Sequence, residues 1–145
     1  MYLYIMSEAD KILNTLNNEE NTFLLKQTRD TIHKLKNDML QKLQFSSEKL
    51  REMHKKLKLY RYVADLTHLK YGSYIRWFKL TNPDNINLTN GGIVIDIKFL
   101  KTGCNILCKN NINRLYEIKF DECMIFQKIT DQEQVLLDVL SFLSK

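Results

Sequence analysis

The sequence predicts an α+β fold: a long N-terminal coiled-coil-like helix, a small five-stranded antiparallel β-barrel and a C-terminal capping helix. Three observations predict this order. No glycine or proline occurs before Gly72, and apolar residues in that part recur at steps of three and four. From Tyr71 onward, apolar and polar residues alternate in short runs between turn residues. A helix-capping sequence then precedes a last apolar segment. The predicted boundary separates a helical arm, residues 1–68, from a head, residues 69–145.

The arm carries a narrow apolar seam. A short first helix is predicted from Ser7, and a long helix from about Thr22 to Leu66. This helix would be roughly 65 Å long at about 1.5 Å per residue, too long for the head to cover its seam. The seam therefore predicts a homo-oligomeric coiled coil or a partner helix. The predicted interface residues are Ile32, Leu35, Met39, Leu43, Leu50, Met53 and Leu57.

The same seam has a second interpretation. The step from Leu35 through Met39 to Leu43 is four plus four, as in a coiled-coil stutter. Ser46 then occupies a seam position that is otherwise apolar, and Ser47 follows it. The alternative is therefore a helix that bends at these two serines and folds back as a hairpin.

The head contains five predicted strands and a final helix. The strands are Tyr74 to Leu80, Ile93 to Leu100, Cys104 to Lys109, Leu115 to Phe120 and Cys123 to Lys128. In the second strand, Ile93, Ile95, Ile97 and Phe99 are predicted to share one face. Thr130 and Glu133 have the spacing of a capping box, which predicts that a helix begins there. Its predicted buried residues are Val135, Leu136, Val139, Leu140 and Leu143.

Two resemblances add to this interpretation. Strand number, strand spacing and the segment Gly72 to Trp77 make the region from Leu69 to about Ile129 resemble SH3-like barrels of the Tudor/KOW type. An OB-like barrel is the alternative. The resemblance implies binding of peptides or other proteins through loops and edge strands. The composition, rich in Asn, Lys and Ile as in Asn110 to Asn113, is similar to that of proteins of large nucleocytoplasmic DNA viruses. That second resemblance assigns no functional residues.

Positive charge is concentrated at the end of the arm. Between Lys42 and Arg61 there are seven Lys or Arg and only two Glu, a difference of +5 that equals the net charge of the whole chain. Such a run could follow nucleic-acid phosphates, with aromatic side chains of the head stacking on bases. The candidate nucleic-acid-binding residues are Lys49, Arg51, Lys55, Lys56, Lys58, Arg61, Tyr74, Arg76 and Trp77. A charge run on a long helix is more often a solvated face.

No pattern of catalytic or metal-binding residues is marked in the sequence. Cys104 and Cys108 would lie about 13 Å apart on one strand, which is too far to share a zinc ion. Cys123 and His68 are conceivable as a nucleophile and its base, but nothing in the sequence orients the histidine. Buried, reduced thiols are the simpler prediction for all three cysteines. We therefore expect no catalytic residue, metal, cofactor or small-molecule substrate.

The sequence thus predicts a non-enzymatic scaffold or adaptor protein. It would oligomerise or dock through the coiled coil and present the small barrel as an interaction module. Nucleic-acid binding by the basic helix and the barrel aromatics is the alternative. The chain has no apolar stretch of the roughly 18 residues that a membrane span needs. We expect no membrane contact and an intracellular location, which would be host cytoplasm or virion if the viral resemblance holds.

Overall fold

The computed structural model describes residues 28–143. These form two compact units: residues 28–33 with 129–143, and Lys34–Lys128. The predicted first helix at Ser7 and the predicted start of the long helix near Thr22 lie outside the described residues.

The arm is two helices, and the prediction of one long helix is wrong. Helix α1 is Arg29–Gln41 and helix α2 is Ser47–Lys56. Between them Gln44 has a φ of 56°, a left-handed conformation that no α-helix continues through. The Ser46 side chain accepts a hydrogen bond from the backbone N–H of Lys49, so this serine caps α2 and is not a seam residue.

The two helices fold back on each other, as in the hairpin alternative. Asn37 of α1 and His54 of α2 are joined by a 2.9 Å contact between Oδ1 and Nε2. Nζ of Lys36 donates to the carbonyl of Leu57, just after α2, at 2.9 Å. These pairs place the second half of α1 against the second half of α2.

The larger unit also contains a six-stranded antiparallel sheet in the order β1-β6-β2-β3-β4-β5. The strands are β1 Tyr60–Tyr62, β2 Tyr74–Lys79, β3 Gly92–Leu100, β4 Gly103–Lys109, β5 Leu115–Lys119 and β6 Cys123–Lys128. The five predicted strands are all present, within one residue of the predicted bounds. The extra strand, β1, lies where the sequence predicted the end of the long helix.

The closed five-stranded barrel is wrong, because the sheet is open. Its edges are β1 and β5, and these two strands do not pair with each other. The sheet is nevertheless strongly curved, since residues of β2 and β5, which are separated by two strands, line the same cleft. A register shift between Val94 and Asp96 contributes to this curvature, because a β-bulge bends its strand.

The same bulge changes which face of β3 is buried. The predicted alternation put Ile93, Ile95 and Ile97 on one inward face. In the structure Val94 is buried, whereas Ile93 and Ile95 are exposed and Ile97 is half-buried. One extra residue at Ile95 reverses the facing of the strand across the bulge.

Both faces of the sheet are covered, and the adjacent aromatic residues Trp77 and Phe78 are buried on opposite sides. Trp77 belongs to the core enclosed by the curved sheet, with Ile75, Val94 and Ile106 among its members. Phe78 belongs to the core on the other side, where the helical hairpin packs. That second core contains Leu40, Met53, Leu57, Phe78, Met124 and Phe126.

In the smaller unit, helix α3 is Asp131–Leu143, and its capping box is confirmed. The backbone N–H of Thr130 donates to Oε1 of Glu133, and the N–H of Glu133 donates to Oγ1 of Thr130. Its predicted buried face is only partly right. Leu136 is buried, but so is Leu137, while Val135 and Leu143 are exposed. The buried residues of this unit are Ile32, Ile129, Glu133, Leu136 and Leu137.

Candidate functional site

A cleft of about 490 Å³ lies at the open side of the curved sheet. One wall is β5, which contributes Tyr116, Glu117 and Ile118. Successive residues of a strand point to opposite faces, so three in a row can line a cleft only if the strand edge faces it. Within the described residues, β5 pairs with β4 alone. The cleft therefore borders the backbone edge of β5 that has no partner strand there.

The opposite wall is Thr89 to Gly91, a segment held tightly against β2. The N–H of Thr89 donates to the carbonyl of Trp77 at 3.0 Å, and Oγ1 of Thr89 accepts from the N–H of Trp77 at 3.2 Å. Arg76 and Tyr74 donate to the carbonyls of Thr89 and Asn90, at 2.8 and 2.6 Å. These bonds hold the wall against β2. Two of the donors, Arg76 and Tyr74, are residues that the sequence predicted to bind nucleic acid.

Glycine is required where this wall ends. Gly91 has a φ of 88°, and a Cβ at this position would lie 2.1 Å from the carbonyl oxygen of Ile75. Any other residue would therefore be strained and would push the segment away from β2. The close approach leaves the space between this wall and β5 open.

The floor and rim of the cleft are apolar. Trp77 lines the cleft but is only 6% exposed, so it presents a small part of its ring as floor. Tyr116 and Ile118 stand opposite Cys108 and Ile106 of β4, both fully buried, and directly opposite residues share a face. These two β5 side chains therefore extend the buried face of the sheet to the edge of the cleft.

The turn between β4 and β5 closes one end of the cleft with Asn110, Asn111 and Ile112. Oδ1 of Asn110 accepts from the N–H of Ile112 at 3.1 Å and from the N–H of Arg114 at 2.9 Å, which fixes the turn. Ile112 is 73% exposed, so the described part of the chain leaves most of this apolar side chain uncovered.

The lining contains two charged residues with different surroundings. Glu117 is paired with Lys98 at 2.9 Å, and this hydrogen bond raises the pKa of Lys98. Lys79 is exposed and forms no salt bridge with any residue in the 28–143 range. Of these two lining residues, Glu117 is therefore paired with Lys98, whereas Lys79 forms no salt bridge with a described acid.

Two of the three cysteines, Cys108 and Cys123, have thiols that burial makes poor nucleophiles. Burial raises the pKa of Cys108 to about 12, and burial likewise raises the pKa of Cys123 to about 11. Both are therefore protonated at neutral pH, and a thiol reacts as its thiolate. Burial also lowers the pKa of His68. Among the described residues no three His, Cys, Asp or Glu side chains are grouped to hold a metal ion.

Five of the nine predicted nucleic-acid-binding residues have roles inside the fold. Lys49 donates to the carbonyl of Ile86 at 3.1 Å and lies over the ring of Phe45. Arg61 is buried and donates to the carbonyl of His68 at 3.2 Å. Tyr74 and Arg76 donate to the segment that forms one wall of the cleft, and Trp77 lines its floor.

The other four cations are on the surface of α2 and the residues after it. Lys56 is paired with Glu52 at 2.9 Å. Arg51, Lys55 and Lys58 are exposed and form no salt bridge with a described residue. Three cations without a salt bridge to a described residue thus lie on α2 and just after it, whereas Trp77, with which the sequence grouped them, is buried in the core.

The predicted oligomer seam packs largely within the chain. Ile32, Met53 and Leu57 are buried, Met39, Leu43 and Leu50 are half-buried, and only Leu35 counts as exposed. Met53 and Leu57 lie in the core beneath the helical hairpin. Homo-oligomerisation through these residues stays a prediction, and their burial in the single chain weighs against it.

Comparison with known proteins does not identify the chain: no protein-family model matches it, and searches of curated proteins and of solved structures find no match. The resemblances to SH3-like barrels and to viral proteins thus have no support from these searches. None of the helices between residues 28 and 143 has the length and apolar character of a membrane span. A function must be argued from the cleft and the charged surface.

Proposed function

We propose that this chain is a non-enzymatic interaction module, a scaffold or adaptor, that binds an extended peptide of a partner protein in the cleft beside β5. One observation carries the proposal: an edge strand that has, among the described residues, no partner on one side borders a cleft with an apolar floor. Edge N–H and C=O groups pair readily with an added strand. Peptide recognition by strand addition uses such an edge for affinity and adjacent pockets for specificity.

The dimensions of the cleft support a peptide. Its volume of about 490 Å³ lies within the roughly 300–1,000 Å³ typical of ligand sites. β5 has five residues, enough to pair with a strand about 17 Å long. An apolar side chain of that strand would contact Trp77 and Tyr116, and Ile112 would be covered at one end.

The other edge of the sheet fits this role less well. β1 has only three residues, and short edge strands are one way in which proteins prevent added pairing. The carbonyl of Tyr60 in β1 already accepts from Nζ of Lys36 at 3.0 Å. We therefore assign the peptide to β5.

Selection from a displayed heptapeptide library on the full chain tests this function. We expect peptides with alternating apolar residues to be enriched. In fluorescence polarisation, Tyr116→Ala should weaken a selected peptide about tenfold, the loss of roughly 1.4 kcal/mol of contact at the rim. The matched control is Leu115→Ala, an exposed neighbour on the opposite face of β5. No enrichment, or equal affinity for both variants and the wild type, would refute the proposal.

Nucleic-acid binding is the second candidate, and it rests on Arg51, Lys55 and Lys58. Arg51 and Lys55 are four residues apart and so lie on one side of α2, and Lys58 is two residues beyond its end. With three phosphates contacted, log K for duplex DNA should fall against log[salt] with a slope of about −2.7, not the roughly −4.5 expected for five. Lys49 and Lys56 are removed from the set by their internal contacts.

The slope is measured by fluorescence anisotropy with a labelled 20-base-pair duplex between low and moderate salt. Replacing Arg51, Lys55 and Lys58 together by Ser should abolish binding. The charge-matched control replaces the exposed Lys34, Lys101 and Lys109 by Ser. If both triple variants lose the same affinity, the binding is non-specific attraction to net charge and this surface is not the site.

A further inference from the structure

We infer that the cleft selects acidic peptides, with an Asp or Glu side chain placed against Lys79 and an apolar side chain against Trp77 and Tyr116. This inference rests on the proposed peptide-binding function and specifies the chemistry of its ligand.

Lys79 supplies a positive charge to the cleft. Lys79 is the last residue of β2 and lines the cleft beside Trp77. It is exposed, and no described acid lies within salt-bridge distance of its ammonium group. The acidic residue of the lining, Glu117, already accepts from Lys98 at 2.9 Å. A peptide carboxylate would therefore meet a cation that has no competing acid.

Two asparagine side chains of the lining supply hydrogen-bond donors. The side-chain amides of Asn90 and Asn111 line the cleft and make no hydrogen bond with another described residue. A side-chain amide N–H₂ donates two hydrogen bonds. Together with Lys79, these groups favour a ligand rich in acceptors, such as carboxylates and backbone carbonyls.

The same features disfavour the other macromolecular ligands. Nucleic acid needs a row of cations along its phosphates, and the cleft lining has one lysine. A second copy of this chain that paired β5 with β5 would offer Lys79 only one acid of that strand, Glu117, which is already paired with Lys98. A basic peptide would be repelled by the positive charge of Lys79. An acidic, partly apolar peptide satisfies both the charge and the floor.

The experiment is a parallel library selection on the full wild-type chain and on Lys79→Glu. We expect wild-type pools enriched in Asp or Glu, and Lys79→Glu pools enriched in Lys or Arg at the same peptide position. A peptide selected on the wild type should bind Lys79→Gln about threefold and Lys79→Glu about tenfold more weakly, and increasingly weakly at higher salt. Lys109→Glu, an exposed site outside the cleft, is the matched control and should change neither pool.

The outcomes separate the two proposals. Enriched peptides that depend on Tyr116 but show no acidic bias, with Lys79→Glu binding unchanged, overturn this inference and leave the peptide-binding function standing. The absence of any enrichment, or enrichment that ignores Tyr116→Ala, overturns both. Concentration-dependent dimerisation in light scattering that Tyr116→Ala abolishes would assign β5 to a second copy and overturn both as well. Circular dichroism on each variant confirms that these exposed substitutions leave the fold intact.

Discussion

Replacing Phe78 with Ala is expected to lower the free energy of unfolding by about 3–5 kcal/mol, the usual cost of removing a buried phenylalanine ring. Phe78 has 0% exposure in the core beneath the helical hairpin. Its ring is 5.7 Å from the Phe45 ring and meets the Phe126 ring edge-on at 6.0 Å. The substitution therefore removes both apolar burial and two aromatic contacts. Urea unfolding followed by tryptophan fluorescence and by circular dichroism measures the loss.

Phe99→Ala is the matched control for this substitution. It makes the same chemical change in the same sheet, at a side chain that is 73% exposed in β3. Its effect should stay within about 0.5 kcal/mol. If Phe78→Ala costs no more than Phe99→Ala, the hairpin does not pack on this face of the sheet.

The strands were predictable because their signals are local. Alternation, the Asn110-Asn111 turn and the glycines each depend on a few neighbouring residues, and β3 to β6 begin and end within a residue of expectation. The facing of β3 was not predictable in the same way. A single bulged residue, Ile95, reverses it, and a bulge is decided by the partner strand.

The prediction of one long helix failed because its apolar periodicity fits two different structures. A seam at steps of three and four looks the same in one long helix and in two helices joined by a short turn. Ser46 and Ser47, followed by the acidic Glu48, were the signal of a new helix start. Tyr60 to Tyr62 likewise continued the seam by spacing, although tyrosines favour strands and the segment is β1.

The cleft could not be predicted from the sequence, because it exists only if the curved sheet stays open at β5. Trp77 was a candidate binding residue in the sequence. Thr89 and Tyr116, which line the walls of the same cleft, are distant in sequence and belong to no motif. A closed barrel would pair β5 and leave no cleft. The open edge therefore makes the proposed interaction role more specific than the sequence did. A ligand would contact β5, the floor at Trp77 and the cation Lys79.

Lys36→Met should cost about 2–4 kcal/mol of unfolding free energy, because three backbone carbonyls lose a charged donor. Nζ of Lys36 donates to the carbonyls of Leu57, Lys58 and Tyr60, which follow the end of α2 and lead into β1. Burial lowers the pKa of Lys36, so removing the ammonium group also removes a desolvation cost. That gain is smaller than the loss, since methionine fills the space but gives the carbonyls of Lys58 and Tyr60 no donor, while that of Leu57 still accepts from the N–H of Tyr60 at 3.0 Å. Lys34→Met is the matched control: Lys34 is exposed on the same helix, and its replacement should change stability by less than about 0.5 kcal/mol. Equal urea midpoints for the two variants would mean that the lysine does not hold the end of the hairpin to the first strand.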